Sequence, residues 1–233
     1  MKRTAVLLAG LAIGVSACGS QHQDSLPALA TTTAVPPITA PPITDAAVLR
    51  ALLLGPAEVP AGFTQLDDAA PGNGPTPPDR SHTDPSECAK VLAPVGDLYP
   101  GSAARDSVHY SSPNYASIDI DVASYADGGA AQAFSAVQKL LLDCRAYSGT
   151  DADGTAIDYR LGGLPQPPAG AASTSFQVRT TSEGMSLYSA ATVAVVGSSV
   201  VQIAETSPAQ IEPAALRDLT DRQIRRLTGA TGP

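Results

Sequence analysis

The chain has 233 residues, a formal net charge of −8 and no tryptophan. So acidic a chain disfavours binding to nucleic acid or to anionic lipid surfaces, because both need clustered Lys and Arg. The length fits one domain of ordinary size and a linker.

The first 18 residues have the order of a bacterial lipoprotein signal. Two basic residues precede an apolar run that ends near Val15, and this run is shorter than the ~20 apolar residues of a transmembrane helix. Ser16 and Ala17 then precede Cys18, an order that resembles a lipobox. The resemblance implies cleavage after residue 17 and acylation of Cys18 with diacylglycerol and palmitate. The alternative is an ordinary secretory signal with a chance cysteine.

Cleavage at this point has two consequences. It removes two basic residues, which leaves 12 basic and 22 acidic side chains and a net charge of −10. It also places the protein on the outer face of the plasma membrane, held there by its lipid anchor. The membrane is therefore one expected partner.

Residues 18–44 predict a disordered stalk. The segment from 19 to 44 is rich in Pro, Thr and Ala, and it contains one acidic residue and no Lys or Arg. Such a composition cannot bury a core, and Pro-rich chain favours extended geometry at about 3.1 Å per residue, or about 80 Å in all. We therefore predict a folded domain over residues 45–229.

The first half of the domain contains two helical patterns. One begins near Thr44, which can act as its N-cap, and ends at Gly55-Pro56. The other covers residues 84–94, with Asp84 as N-cap and Cys88 on the inward face. The composition of residues 67–80 predicts a loop between them.

Residues 106–125 alternate between polar and apolar side chains, which predicts an antiparallel hairpin with one wet side. Three aliphatic residues of its second strand share one face. Asp119 and Asp121 share the other. His109 lies on the first strand, on the face opposite Val108 and Tyr110. The two carboxylates are candidates for lining a wet cleft, although solvated side chains on an exposed strand are the commoner case.

The second half of the domain is rich in strands and is bounded by two helices. The helix over residues 127–144 places Cys144 inward at its end. A final helix begins at Pro213. The predicted strands between them cover residues 145–148, 156–161, 174–181, 186–196 and 199–205. Helices around an antiparallel sheet make the expected fold class α+β, in a single domain.

Cys88 and Cys144 remain once Cys18 is assigned to lipid. An even pair in an exported protein suggests one disulfide, and the loop it closes would contain 57 residues. Two free buried thiols are the alternative.

The order of these parts resembles the PknH-like extracellular sensor domain, which occurs in a mycobacterial kinase and in mycobacterial lipoproteins. The resemblance covers roughly residues 45–229. It implies a non-enzymatic module in the mycobacterial cell envelope, with a cleft for an unidentified ligand, and it supplies no catalytic residue. The motifs that carry it are DPSEC at 84–88, AQAF at 131–134, DCR at 143–145 and SVVQIA at 199–204.

No motif for a cofactor, a metal or a catalytic centre is evident. A kinase would need a Gly-rich phosphate loop and a catalytic loop, and both patterns are missing. Asp151–Gly154 departs from a calcium loop in its glycine position, and no His and Cys cluster predicts zinc. A hydrolase would depend on His109 and a serine near it. We expect no cofactor, no metal and no catalytic residue.

The sequence favours the first of three functions. The first is a ligand- or partner-binding, sensor-like module whose partner is an envelope ligand or protein, with Asp119, Asp121 and His109 as the candidate ligand-binding residues. The second is a lipid or glycolipid carrier. The third is a hydrolase. A wet cleft on the sheet would favour the sensor, and an apolar cavity would favour the carrier. A serine within hydrogen-bond reach of His109 would favour the hydrolase.

Overall fold

The computed structural model describes residues 26–30, 32–66 and 80–229. They form an α+β fold, as the sequence predicts, and none of their helices is both long enough and apolar enough to cross a bilayer. Cys18 and the predicted signal sequence lie outside the described residues.

The helices are α1 (Ala46–Leu52), α2 (Val95–Leu98), α3 (Gly129–Asp143) and α4 (Pro213–Thr228), with a 3-10 helix at Ser86–Lys90. The strands are β1 (Thr64–Gln65), β2 (His82–Asp84), β3 (Ala104–Ser111), β4 (Ser117–Ser124), β5 (Ala146–Thr150), β6 (Ala156–Gly163), β7 (Ala172–Ser182), β8 (Met185–Val196) and β9 (Ser199–Ser207). The strands predicted downstream of residue 145 and the final helix are therefore confirmed, with shifts of a few residues at their ends.

The described strands form one sheet in the order β1-β3-β4-β9-β8-β7-β6-β5-β2, and every neighbouring pair is antiparallel. Helices pack on both faces of this sheet. On one face α1 and α4 bury aliphatic side chains such as Leu49, Ile120 and Leu219. On the other, α3 and the 3-10 helix bury residues such as Phe134 and Phe176. The two-residue period of the strands divides the core between the two faces.

The predicted disulfide is formed. Cys88 lies in the 3-10 helix and Cys144 caps the C-terminus of α3, both are 1% exposed, and their Cα atoms are 5.6 Å apart. The bond joins the 3-10 helix to the long helix on the same face of the sheet. The chain-entropy estimate for a loop of this length is about 4 kcal/mol of stabilisation.

The helix predicted over residues 84–94 is wrong in its start and its type. Asp84 ends strand β2, Pro85 is extended, and only the short 3-10 helix and α2 follow. Asp84 is held in the sheet because β2 pairs with β5. Thr83 Oγ1 instead donates to the carbonyls of Pro85 and Ser86. Tertiary pairing thus overrides the local capping signal. A smaller difference is that Asp45, not Thr44, caps α1.

The described part of the predicted stalk lies along the domain. We call residues 26–30 and 32–44 the strap. Its partly buried aliphatic side chains pack against the two cores: Leu29, Val35, Ile38 and Ile43. The segment that the sequence predicts as a free spacer thus contacts the sheet and α3 over much of its length.

Polar groups of the domain bind the strap backbone. Gln138 accepts from the Thr33 N–H at 2.6 Å and donates to the Thr33 carbonyl at 3.0 Å. Gly163 N–H donates to the Pro27 carbonyl at 2.7 Å, and Ser198 Oγ donates to the Pro41 carbonyl at 2.8 Å. A Cβ added to Gly163 would lie 2.2 Å from the Ala28 oxygen, so the strap can approach only because glycine has no side chain.

Candidate functional site

A cleft opens to solvent where α2 faces strands β3 and β4, beyond the part of the sheet that α3 covers. Its volume is about 290 Å³, close to the lower end for small-molecule sites. The residues lining it are Pro94, Gly96, Asp97, Arg105, Asp106, Ser107, Asp121 and Val122. Charged and polar side chains therefore dominate its walls.

The hairpin places four polar side chains together on this face. Ser107 lies opposite Asp121 and His109 lies opposite Asp119 in the β3–β4 register. Because side chains of a strand alternate between faces, residues two apart share a face, and residues directly opposite lie about 5 Å apart. The predicted alternation thus brings together the three candidate residues and adds Ser107.

His109 joins Ser107 and Asp119 in one hydrogen-bonded chain. Its Nδ1 lies 2.8 Å from Asp119 Oδ1, and its Nε2 lies 3.1 Å from Ser107 Oγ. Ser117 Oγ also donates to Asp119 Oδ2 at 3.0 Å. Both carboxylate oxygens of Asp119 are therefore occupied.

Asp121, two residues further along the same face, is only 4% exposed and forms part of the cleft wall. Its Oδ1 is buried with no hydrogen-bond partner in the described structure. Burial raises the pKa of Asp121 to about 6; Asp119 and Asp97 add to this rise, and His109 opposes it. The expectation of a solvated carboxylate is wrong for Asp121, because the residues around α2 cover it.

Nearby donors are committed elsewhere, which explains why Asp121 is left unpaired. Gln202, directly opposite on β9, donates its side-chain amide to the carbonyls of Leu92 and Ala93 at 3.2 and 3.4 Å. His109 contacts Asp119 and Ser107. The floor of the cleft therefore has a free acceptor with no donor supplied by its neighbours.

The other two carboxylates of the cleft each have an arginine. Arg105 pairs with Asp97 across the mouth of the cleft. Arg50 of α1 lies 2.7 Å from Asp106. Gly96 gives the Arg105 side chain room, since a Cβ there would lie 3.0 Å from Arg105 Cδ. The charges of Asp97 and Asp106 are thus balanced locally.

The order Ser107–His109–Asp119 is that of a nucleophile, a base and an orienting carboxylate. The serine that the hydrolase hypothesis requires is therefore present. An acyl transfer also needs donors for the negative oxygen that develops. Here the Ser107 N–H donates to Asp106 Oδ1 at 2.7 Å, and the Asp121 side chain lies opposite. Carboxylates on both sides of Ser107 would repel an oxyanion, so the electrostatics favour binding a donor over acyl transfer.

A metal site is not formed by these residues. Within the described ranges, no group of three His, Cys, Asp or Glu side chains could hold a metal ion. Asp119 is already engaged by His109 and Ser117. The single unpaired group, Asp121, provides too few ligands for a cation such as Ca²⁺, which takes six to eight oxygens.

A second cavity, of about 480 Å³, lies between β7, β8 and the segment before α4. Its walls combine aliphatic residues with Gln177, Arg179, Tyr188 and Glu212. A lipid carrier needs an enclosed apolar cavity to shield acyl chains from water, and this one is open and mixed. Sequence reasoning gave no sign of it, because its walls come from segments far apart in the chain.

Comparisons with known proteins place this geometry in a family context. A family model described as the PknH-like extracellular domain matches residues 44–230. The crystal structure of the extracellular domain of PknH from Mycobacterium tuberculosis is similar, with a TM-score of 0.60 and 15% identity, covering 82% of this chain and 100% of that one.

A protein from Mycobacterium smegmatis gives a TM-score of 0.38 at 13% identity, covering 78% of this chain and 96% of that one, which is too low to support an argument. No curated protein matches the chain. The expected fold family is therefore confirmed, and the strap before residue 44 lies outside the family match.

Proposed function

We propose a function from the family to which this chain belongs, the PknH-like extracellular domains. The chain is a non-enzymatic, sensor-like module that binds a ligand outside the cell. The observation that carries the proposal is the open cleft whose buried Asp121 has an oxygen without a partner. A buried unpaired acceptor costs about 1–3 kcal/mol. A ligand that supplies the missing donor recovers that free energy on binding.

The proposal includes a lipid anchor at Cys18, which rests on the lipobox order of residues 15–18. With the strap docked, only residues 19–25 lie between that anchor and the strap. Whatever their conformation, seven residues span at most about 25 Å. The domain would therefore lie close to the membrane rather than at the end of a stalk of about 80 Å. An anchor in the outer leaflet does not cross the membrane, so any signal requires a protein partner.

Mass spectrometry of the full chain purified from a mycobacterial host tests both parts. We expect the native spectrum to show a small molecule that is lost on denaturation, and the N-terminal peptide to carry an acylated Cys18. The Cys18→Ser variant should lose the lipid mass and keep the bound molecule. A processed Cys18→Ser chain that stays in the membrane would contradict the anchor, and a bare protein under native conditions would count against a small-molecule sensor.

A further inference from the structure

We propose that the cleft between α2 and strands β3 and β4 recognises a ligand through an ammonium group, which binds the carboxylate of Asp121. This inference rests on the proposed function and names the chemistry of its ligand. The evidence is the unpaired Asp121 oxygen, the charge balance of the cleft and the geometry of the groups around it.

The charge balance favours a cation. Asp97 and Asp106 each pair with an arginine, Arg105 and Arg50 respectively. Asp121 has no such partner, so one negative charge on the floor of the cleft is uncompensated when it ionises. An ammonium supplies both the charge and the N–H donor, and such charge-assisted bonds are about twice as strong as neutral ones. An anion would meet three carboxylates.

The geometry favours one ammonium over a metal or a neutral polyol. A metal ion needs several ligands, and no group of three metal-ligating side chains occurs in the described ranges. A polyol provides hydrogen bonds without charge, and it leaves the carboxylate unbalanced in a partly desolvated site. The cleft opens to solvent on one side, so the rest of an amine-bearing molecule can extend outward.

Protonation of Asp121 competes with such a ligand. The charged groups that face Asp121 come from three elements: Arg105 and His109 on β3, Asp119 on β4 and Asp97 on α2. Burial raises the Asp121 pKa to about 6. An ammonium favours the ionised form, so affinity should fall as the pH drops through that range.

Titration calorimetry and amide NMR of the exported Cys18→Ser chain test the inference, with putrescine as the probe and 1,4-butanediol as its uncharged counterpart. In 150 mM NaCl, which screens general attraction to an acidic surface, we expect one putrescine to bind at pH 7.5. NMR shifts should concentrate in α2, β3 and β4. Affinity should fall at least tenfold in Asp121→Asn and at least threefold at pH 5.5, and it should not change in Asp153→Asn, an exposed control.

Three results would overturn the inference. One is equal binding of the diol and the diamine. Another is an affinity for putrescine that Asp121→Asn does not change. The third is no putrescine binding at all at millimolar concentration. If the native spectrum of the full chain then shows a bound molecule without an amine, the proposed function stands and only the ammonium chemistry fails.

Discussion

The surface under the strap, which we call the groove, and the cleft lie on the same domain, and they differ in how their polar groups are paired. In the groove, Gln138, Gly163 and Ser198 each have a partner on the strap backbone. In the cleft, Asp121 is equally buried, and its Oδ1 has no partner in the described structure. One surface is filled by the chain itself and the other is left open.

The difference separates a structural surface from a candidate binding surface. Pairing buried polar groups stabilises a fold, whereas an unpaired one destabilises it. A chain that pairs the polar groups of the groove and leaves a buried carboxylate unpaired in the cleft gives up stability at the second place. A ligand gains most from binding at such a place, because folding has already removed water from the carboxylate.

The largest expected effect is on the pH dependence of stability in Asp121→Asn. Folded Asp121 has a pKa of about 6 and its unfolded value is 3.8. Between these two values the folded state keeps a proton that the unfolded state releases. The resulting stabilisation is fully present below pH 3.8 and is lost as the pH rises through 6. Relative to the wild type, the variant should gain about 2–3 kcal/mol between pH 4 and pH 8.

Urea unfolding at several pH values measures this gain. Burial also raises the pKa of Glu205, to about 7, and its contribution has the same sign. Glu205 is present in both the wild type and Asp121→Asn, so the difference in their unfolding free energies isolates Asp121. Asp153→Asn controls for the loss of one negative charge at an exposed position. A difference between Asp121→Asn and wild type that stays constant with pH would show that the open cleft carries no such destabilisation.

The next effect concerns the filled groove. Residues 45–233 should be less stable than residues 26–233, because deletion of the strap exposes the apolar surface under it and breaks its hydrogen bonds. We expect a loss of about 2 kcal/mol, or a fall in Tm of roughly 4–8 °C. Thermal unfolding by circular dichroism measures it.

Gly163→Ala provides a matched test in the two proteins. The added Cβ would clash with the Ala28 carbonyl of the strap. The substitution should therefore destabilise residues 26–233 and leave residues 45–233 nearly unchanged. Equal Tm values for the long and short proteins, or equal effects of Gly163→Ala in both, would mean that the strap contributes nothing and the groove is as open as the cleft.

The sequence predicts the fold and the position of the cleft residues, and it fails on burial and on the strap. Alternation alone brings His109, Asp119 and Asp121 to one face. It cannot show that the distant residues around α2 cover Asp121, because that cover depends on tertiary packing.

The strap did leave a signal in the sequence. Leu26, Leu29, Val35 and Ile38 fit a period of three, which matches the three residues per turn of polyproline II. Composition alone predicts a free stalk, whereas this period indicates an extended segment with one apolar edge. The Gly162-Gly163 pair at the end of β6 makes room for that edge.

The smallest expected effect tests the contact that most clearly distinguishes the groove from the cleft. Gln138→Ala removes both hydrogen bonds to the Thr33 backbone and should cost residues 26–233 about 1 kcal/mol. In residues 45–233 the same change should be neutral, because Gln138 then faces water and alanine favours the helix. The difference between the two losses in unfolding free energy is the coupling between Gln138 and the strap. An equal loss in both proteins would place the role of Gln138 inside the domain and leave the strap held by its apolar edge alone.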